Sequence, residues 1–273
     1  MKSKKMTWLS APYLLWAAAF IIIPLIMVFF YGFTDKENHF TFDNILAITT
    51  PEHMKALLLS LLLALISTVI CLLIAYPLAM ILAQMGGKSD RFIVFIFILP
   101  MWMNFLLRTL AWQTLLENEG VFNTILSFLH LPKLAIINTP YAIILGMIYN
   151  FLSFMVLPLY NSICKVDKNV INAARDLGAN GFQTFMKIIL PLTVPGIISG
   201  ITMVFVPSLT TFVVSDLLGG SKILLIGNVI EQEFTLNYNW HLGSGLSVVL
   251  MIFIIVSMVA TAIFDKEGEG NTL

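Results

Sequence analysis

Five polar or aromatic side chains stand where the chain is otherwise apolar. Trp102, Asn104 and Arg108 follow Leu99-Pro100 in one hydrophobic run, Tyr149 lies within a second, and Asp216 closes a third. Polar groups in such runs are costly in lipid and should face protein or water. Arg108 lies about 25 Å beyond Phe92 at 1.5 Å per helical residue. It can snorkel to the outer interface or stand on a path through the bilayer, and the sequence leaves both open. Asp216 is either an interfacial charge or a group that draws cations to the mouth of such a path. Other reactive residues assemble nothing. Gly86-Gly87-Lys88-Ser89 ends as a phosphate-binding loop does, but the first glycine of that motif falls at Leu82, in an apolar run with no strand before it. It reads as a tight turn. His39 and His53 lack ligand partners, and Cys71 and Cys164 imply neither a disulfide framework nor a metal site. HExxH and GxSxG are absent, so an enzyme is not expected.

The elements that must position these residues are membrane spans. Of 273 residues, 59 % are hydrophobic and 11 % charged, and the mean hydropathy is +0.92. A soluble domain carries about 25 % charged residues. The formal net charge is zero, which offers no basic surface to nucleic acid. Six runs can cross a bilayer: 11–33, 56–84, 92–116, 139–163, 194–215 and 243–264. Each meets the length of about 20 residues that a span needs. Lys2, Lys4 and Lys5 open the chain as a signal peptide does. The run that follows is too long and lacks a small-x-small cleavage site, so an uncleaved anchor is expected. Pro24, Pro77, Pro100, Pro158 and Pro207 interrupt five of the six runs. Bent spans lining a cavity look like this, and so do kinked helices in passive bundles.

Orientation follows from Lys and Arg. With the N-terminus inside, the inner segments hold Lys2, Lys4, Lys5, Lys88, Arg91, Lys165, Lys168, Arg175, Lys187 and Lys266. The outer ones hold Lys36, Lys55, Lys133, Lys222 and Arg108. The bias puts both termini in the cytoplasm. No repeat or linker divides the chain, so one transmembrane domain, 1–273, is expected. The tail from 265 reads as disordered.

Between the fourth and fifth runs lies a stretch of different character. Asn172-Ala173-Ala174-Arg175-Asp176-Leu177-Gly178 is followed, after nine residues, by Ile188-Ile189-Leu190-Pro191. Asp167 can cap a short helix, on which Val170, Ala174 and Leu177 share a face at i, i+4 and i+7. Gly178 can take φ > 0 and end it. Asn180 can cap a second piece, whose apolar stripe is Phe182, Phe185, Met186 and Ile189.

This stretch resembles the E-A-A-x3-G-x9-I-x-L-P loop of ABC importer permeases. Ala173, Ala174, Gly178, Ile188, Leu190 and Pro191 match in register, and Asn172 stands where the family has glutamate. The resemblance implies an all-α, polytopic membrane protein with six transmembrane helices and the type I ABC importer permease fold. It also implies that the loop, about 165–191, docks on an ATP-binding subunit through Asn172, Ala173, Ala174, Arg175, Asp176 and Gly178.

Phe154-Met155-Val156-Leu157-Pro158-Leu159-Tyr160, Val214-Ser215-Asp216-Leu217 and Leu224-Leu225-Ile226-Gly227-Asn228-Val229-Ile230 resemble the spermidine/putrescine branch of that family. This implies half of a path in the bacterial cytoplasmic (inner) membrane, within membrane lipid. The partners implied are a homologous second permease subunit, two ATP-binding subunits and an extracytoplasmic polyamine-binding protein. This chain is then expected to bind no cofactor, with ATP and Mg held by the partner ATPase. A polyamine is a flexible polycation with apolar methylenes, suited by aromatic faces and a few carboxylates. The expected contacts are Trp102, Tyr149, Phe212 and Asp216, with Asn104 beside them and Arg108 on the same path. Importers of a metal ion, thiamine or an anion share the loop, and an anion makes Arg108 the key residue instead. In an ATP-independent channel or secondary carrier the loop is only structural.

Overall fold

The computed structural model describes residues 12–85, 99–220 and 222–270, with 264–270 as backbone only. Lys2, Lys4, Lys5, the turn at 86–89, Arg91 and the run from 92 to 98 lie outside the described residues. Among the described residues the regular structure is helical, apart from one isolated bridge between Thr34 and Phe40.

Helix α1 (Pro12–Gly32) is apolar and exposed on nearly all sides, as a helix bathed in lipid is. Helix α2 (Pro51–Met85) has 35 residues. At 1.5 Å per residue it is about 50 Å long, well beyond the ~30 Å hydrocarbon core, so it must tilt or project. Asn104 starts α3 (Phe105–Leu116), its Oδ1 accepting from the N–H groups of Leu106 and Leu107. Next come α4 (Val121–Phe128) and α5 (Pro140–Cys164), which Pro140 opens without losing a bond, because a first-turn N–H has no helical partner. The loop stretch folds as α6 (Lys168–Asp176) and α7 (Gly181–Leu192). Beyond it lie α8 (Val194–Thr210), α9 (Val213–Gly219), α10 (Ile226–Thr235) and α11 (Trp240–Gly270).

Among the described residues, helices α1, α2, α5 and α11 as far as Ile263 are long and apolar enough to cross a bilayer, and α7 and α8 pass that test only together, as a pair bent by 66°. The remaining expected run, the third, 92–116, is described from residue 99, and its helix breaks at 103–104 before α3. Two expectations need correction. The run 194–215 is not one helix: α8 stops at Thr210 and Thr211 is extended, with ψ 134°. Pro207 weakens this end because it has no N–H to donate, and the Phe212 carbonyl is met by the Asn228 side chain instead of a helical N–H alone. The tail expected to be disordered continues α11 to Gly270. Adding a residue to a formed helix is cheap, whereas starting one is not.

The chain clusters into two compact units, each described by itself. One contains the chain up to Lys55 with Val229–Phe253. Here His241 Nδ1 lies 2.7 Å from the Thr34 carbonyl oxygen, and Asn44 Nδ2 donates to the same oxygen at 2.8 Å. Asp35 Oδ1 accepts from the N–H groups of His39 and Glu37, at 2.9 Å each. These bonds, His39 first, hold its carboxylate below the usual range.

The other unit contains Ala56–Asn228 and the chain from Ile254. Its core joins Cys71, Tyr76 and Ala79 of α2, Met147, Met155 and Leu159 of α5, Val204 of α8 and Leu218 of α9. Lipid is as apolar as leucine, so these helices associate by close packing and not by escape from water. Gly196 and Gly200 set that closeness. A Cβ at 196 meets Ser162 and, at 2.9 Å, the Pro158 carbonyl oxygen; one at 200 meets Met155 Sδ at 2.6 Å. The backbone of α5 cannot yield, but the end of a methionine can. Gly196→Val is therefore expected to destabilise the folded chain by about 1–3 kcal/mol, and Gly200→Ala by less. Thermal unfolding midpoints of the two variants in detergent check the order.

Candidate functional site

The loop between α5 and α8 is built by local rules. Asp167 Oδ1 accepts from the Asn169 N–H at 2.8 Å, starting α6. At its end Ala179 donates to the Ala174 carbonyl oxygen and Gly178 to that of Arg175, the paired bonds of a Schellman turn. The turn requires a left-handed residue, and Gly178 supplies φ 85°. Asn180 and Gln183 then exchange side-chain to backbone bonds at 2.8 and 3.0 Å, a full capping box for α7.

What this loop shows to solvent departs from the sequence pattern. Ala174 is buried and Val170 is exposed. Leu177 does not share their face, because α6 ends at Asp176 and Leu177 sits on the cap, 90 % exposed. The stripe of α7 also splits. Phe185 packs edge-on against Tyr76, with centroids 5.5 Å apart, while Phe182 and Met186 stay exposed. Ala173, Asp176, Leu177, Gly178 and Phe182 are all exposed, a narrow, mostly apolar knob that carries one carboxylate. Asn172 and Arg175 line a cleft of about 430 Å³ with Lys168, Cys164 and, from α2, Met80 and Gln84.

The bend above the loop contains a residue that the sequence pattern gave no reason to single out. Tyr76 of α2 places its hydroxyl 2.6 Å from Thr193 Oγ1, both residues being buried. Thr193 is the one residue between α7 and α8, and its hydroxyl also reaches the Ile189 carbonyl oxygen at 2.8 Å. Pro191 cannot donate to the carbonyl four residues back, and the turn before it, Phe185–Ile189, widens to π geometry. A tyrosine in an apolar run facing a threonine beside two prolines is the signal available in sequence, and it is visible only once the pairing is known.

The expected path residues fall in two groups. Arg108 is 6 % exposed, so it does not snorkel. Its Nη1 donates to the Pro100 carbonyl oxygen at 2.5 Å, and its guanidinium lies 5.8 and 5.7 Å from the ring centroids of Phe105 and Tyr149. Tyr149 in turn meets Trp112 edge-on. Trp102 is 74 % exposed, and Asn104 is exposed at its cap. Phe212 and Asp216 make the second group, at the break after α8. Both are exposed; the Asp216 N–H donates to the Phe212 carbonyl oxygen, and Asp216 Oδ1 accepts from Asn228 Nδ2. Helix α9, which carries Asp216, packs against α3 and α5.

A family described as "Binding-protein-dependent transport system inner membrane component" matches residues 75–267. The chain is 39 % identical to the spermidine/putrescine transport system permease protein PotB of Haemophilus influenzae, over 93 % of each chain. It is also 39 % identical to PotB of Escherichia coli, over 93 % of this chain and 97 % of that one. A chain of a bacterial alginate ABC transporter, solved in complex with an alginate pentasaccharide-bound periplasmic protein, matches with TM-score 0.78. It is 16 % identical, over 95 % of this chain and 93 % of that one. A chain of the inward-facing MetNI methionine ABC transporter matches with TM-score 0.59 at 17 % identity, over 79 % and 95 %. At those identities the likeness is of fold.

If the Tyr76 hydroxyl ties α2 to the bend, Tyr76→Phe removes one buried hydrogen bond while Thr193 keeps its backbone acceptors. A loss of about 1 kcal/mol is expected, read as a lower unfolding midpoint with the ring packing on Phe185 retained. An unchanged midpoint would show that the hydroxyl carries no weight.

Proposed function

The chain belongs to the family of binding-protein-dependent transport system inner membrane components, and from that premise we propose that it passes a polyamine, spermidine or putrescine, through the membrane. It is a multi-pass, non-catalytic permease subunit of an ABC importer and works within a complex. The observation that carries the polyamine reading is the 39 % identity, over almost the whole chain, to permeases of spermidine/putrescine systems.

In this reading both termini and the loop 165–191 lie in the cytoplasm, as the Lys and Arg bias suggests. The partners are a homologous second permease subunit, two ATP-binding subunits and an extracytoplasmic polyamine-binding protein. ATP and Mg stay with the ATPase, and this chain holds no cofactor. The knob of Ala173, Asp176, Leu177, Gly178 and Phe182 docks in the ATP-binding subunit, together with Asn172, Ala174 and Arg175 of α6. Closure of the ATPase dimer moves the knob, and the bend at Thr193 passes that movement to α2 and α8. The path then alternates between inward-facing and outward-facing states.

On the path, Asp216 attracts the polycation, and the aromatic faces of Trp102, Tyr149 and Phe212 take its methylenes and ammonium groups, with Asn104 as a polar neighbour. Arg108 acts as a wall and not a contact. Its fixed positive charge disfavours a resting polycation at that depth and keeps binding weak, so release is not stalled.

The direct test is uptake of labelled spermidine and putrescine by transporter-deficient cells carrying the full gene cluster, with or without this chain. Uptake is expected to vanish without it; unchanged uptake would end the polyamine assignment. Docking has its own test at Gly178, where an added Cβ meets nothing within 4 Å in this chain. Gly178→Ala costs only backbone strain, about 1–2 kcal/mol, and should keep part of the uptake. Gly178→Trp should insert normally and abolish uptake. Normal uptake by the Trp variant would contradict docking through this turn.

A further inference from the structure

Asn228 is 0 % exposed, and an amide buried that deeply must have its donors and acceptors met. Its Nδ2 donates to the Phe212 carbonyl oxygen at 3.2 Å and to Asp216 Oδ1 at 2.5 Å. Its Oδ1 accepts from the Leu225 N–H at 3.1 Å and lies 2.5 Å from the Ser215 hydroxyl. A carboxamide has two donor hydrogens and two acceptor lone pairs, so none is spare. Three of these partners are fixed parts of the unit: the break after α8, the first turn of α9 and the entry to α10. Two residues before Asn228, the Ile226 N–H donates at 2.8 Å to Ser60 Oγ, which is buried in α2. The fourth partner is different, because Asp216 is exposed. One hydrogen of a rigidly seated amide therefore reaches out to a carboxylate that faces solvent.

An exposed aspartate normally samples several rotamers, and a cation that binds it must bear the cost of stopping that motion. A charge-assisted bond from a fixed donor removes most of this cost in advance. Resting on the reading of Asp216 as a path residue, we infer that Asn228 is its positioning residue: the buried amide aims the carboxylate so that a polycation meets a fixed charge at the mouth of the path. Asn228 does not touch the solute. Ser215 acts one step further back, holding the amide from its oxygen side. The aimed charge favours the ligand with more positive charges, spermidine with three over putrescine with two.

The test uses the complete importer with its binding protein in proteoliposomes, at matched amounts of assembled complex. It reads the ratio of initial spermidine uptake to initial putrescine uptake. The binding protein is the same throughout, so a change in ratio reports this chain. Asp216→Asn is expected to lower the ratio about two- to fivefold, as loss of one exposed charge would. Asn228→Ala is expected to lower it by a similar factor, and the double variant by no more than the larger single effect. A lesion that only loosens the fold lowers both uptakes together and leaves the ratio alone. If Asp216→Asn lowers the ratio and Asn228→Ala does not, the positioning role is wrong and the path reading stands. If Asp216→Asn leaves the ratio unchanged, the path reading fails and this inference falls with it. Should Asn228→Ala not assemble, Ser215→Ala takes its place. It withdraws one bond from the amide and is expected to lower the ratio in the same direction; an unchanged ratio overturns the inference.

Discussion

The structure depends on turning the chain by 66° at Thr193 without leaving polar groups unmet inside an apolar bundle. Thr193 is 0 % exposed, and a buried bend is tolerated only where protein supplies its hydrogen bonds. Thr193 meets the requirement from both sides. Its N–H donates to the Ile189 carbonyl oxygen at 3.0 Å, its hydroxyl lies 2.8 Å from the same oxygen, and Tyr76 reaches it from α2. Pro195 stands in the first turn of α8, where a missing N–H costs nothing, and the π turn Phe185–Ile189 absorbs the donor that Pro191 lacks. The bend is therefore a defined joint. It links the loop below to two helices of the bundle, which a loose hinge would not do.

The break at Thr211 obeys the same constraint at the other end of α8. There the supporting group is a side-chain amide, and its surroundings tie the break to α9, to α10 and through Ser60 to α2. Helix α8 thus ends in a satisfied irregularity at each end, with glycines holding it against α5 between them. In the proposed mechanism α8, held in this way, moves as a body when the loop at its Thr193 end is pushed. That mechanical property is what a subunit driven by a partner needs.

The features readable from sequence are those fixed by neighbours in the chain. The caps at Asp167 and Asn180 and the left-handed Gly178 are local chemistry, and each stands where the pattern placed it. Family membership was legible in the loop between Ala173 and Pro191, and the comparisons agree with it. Contacts made across the fold were not legible. Spacing puts Leu177 on one face with Val170 and Ala174 because it assumes that the helix continues, but α6 ends one residue earlier. Arg108 could have snorkelled, and its inward turn needs the Pro100 carbonyl and two rings that fold beside it. Residues 194–215 read as one span because Pro207 alone does not stop a helix; the Asn228 side chain completes the break. Tyr76 carries no motif, Asn228 lies in a family-like segment that does not say what its amide meets, and their partners are 117 and 16 or fewer residues away.

The central claim is that the exposed turn at Leu177 is where an ATP-binding subunit engages this chain. The most direct measurement is cross-linking from that position. Leu177→Cys would be made in a chain whose Cys71 and Cys164 are replaced, and assembled with its partners in membranes. A short bifunctional thiol reagent should join Leu177→Cys to the ATP-binding subunit, with a yield that changes when ATP is added. If instead the thiol reacts with a bulky water-soluble maleimide equally fast with and without the ATP-binding subunit, and forms no cross-link, the turn is not a docking surface and the account is contradicted.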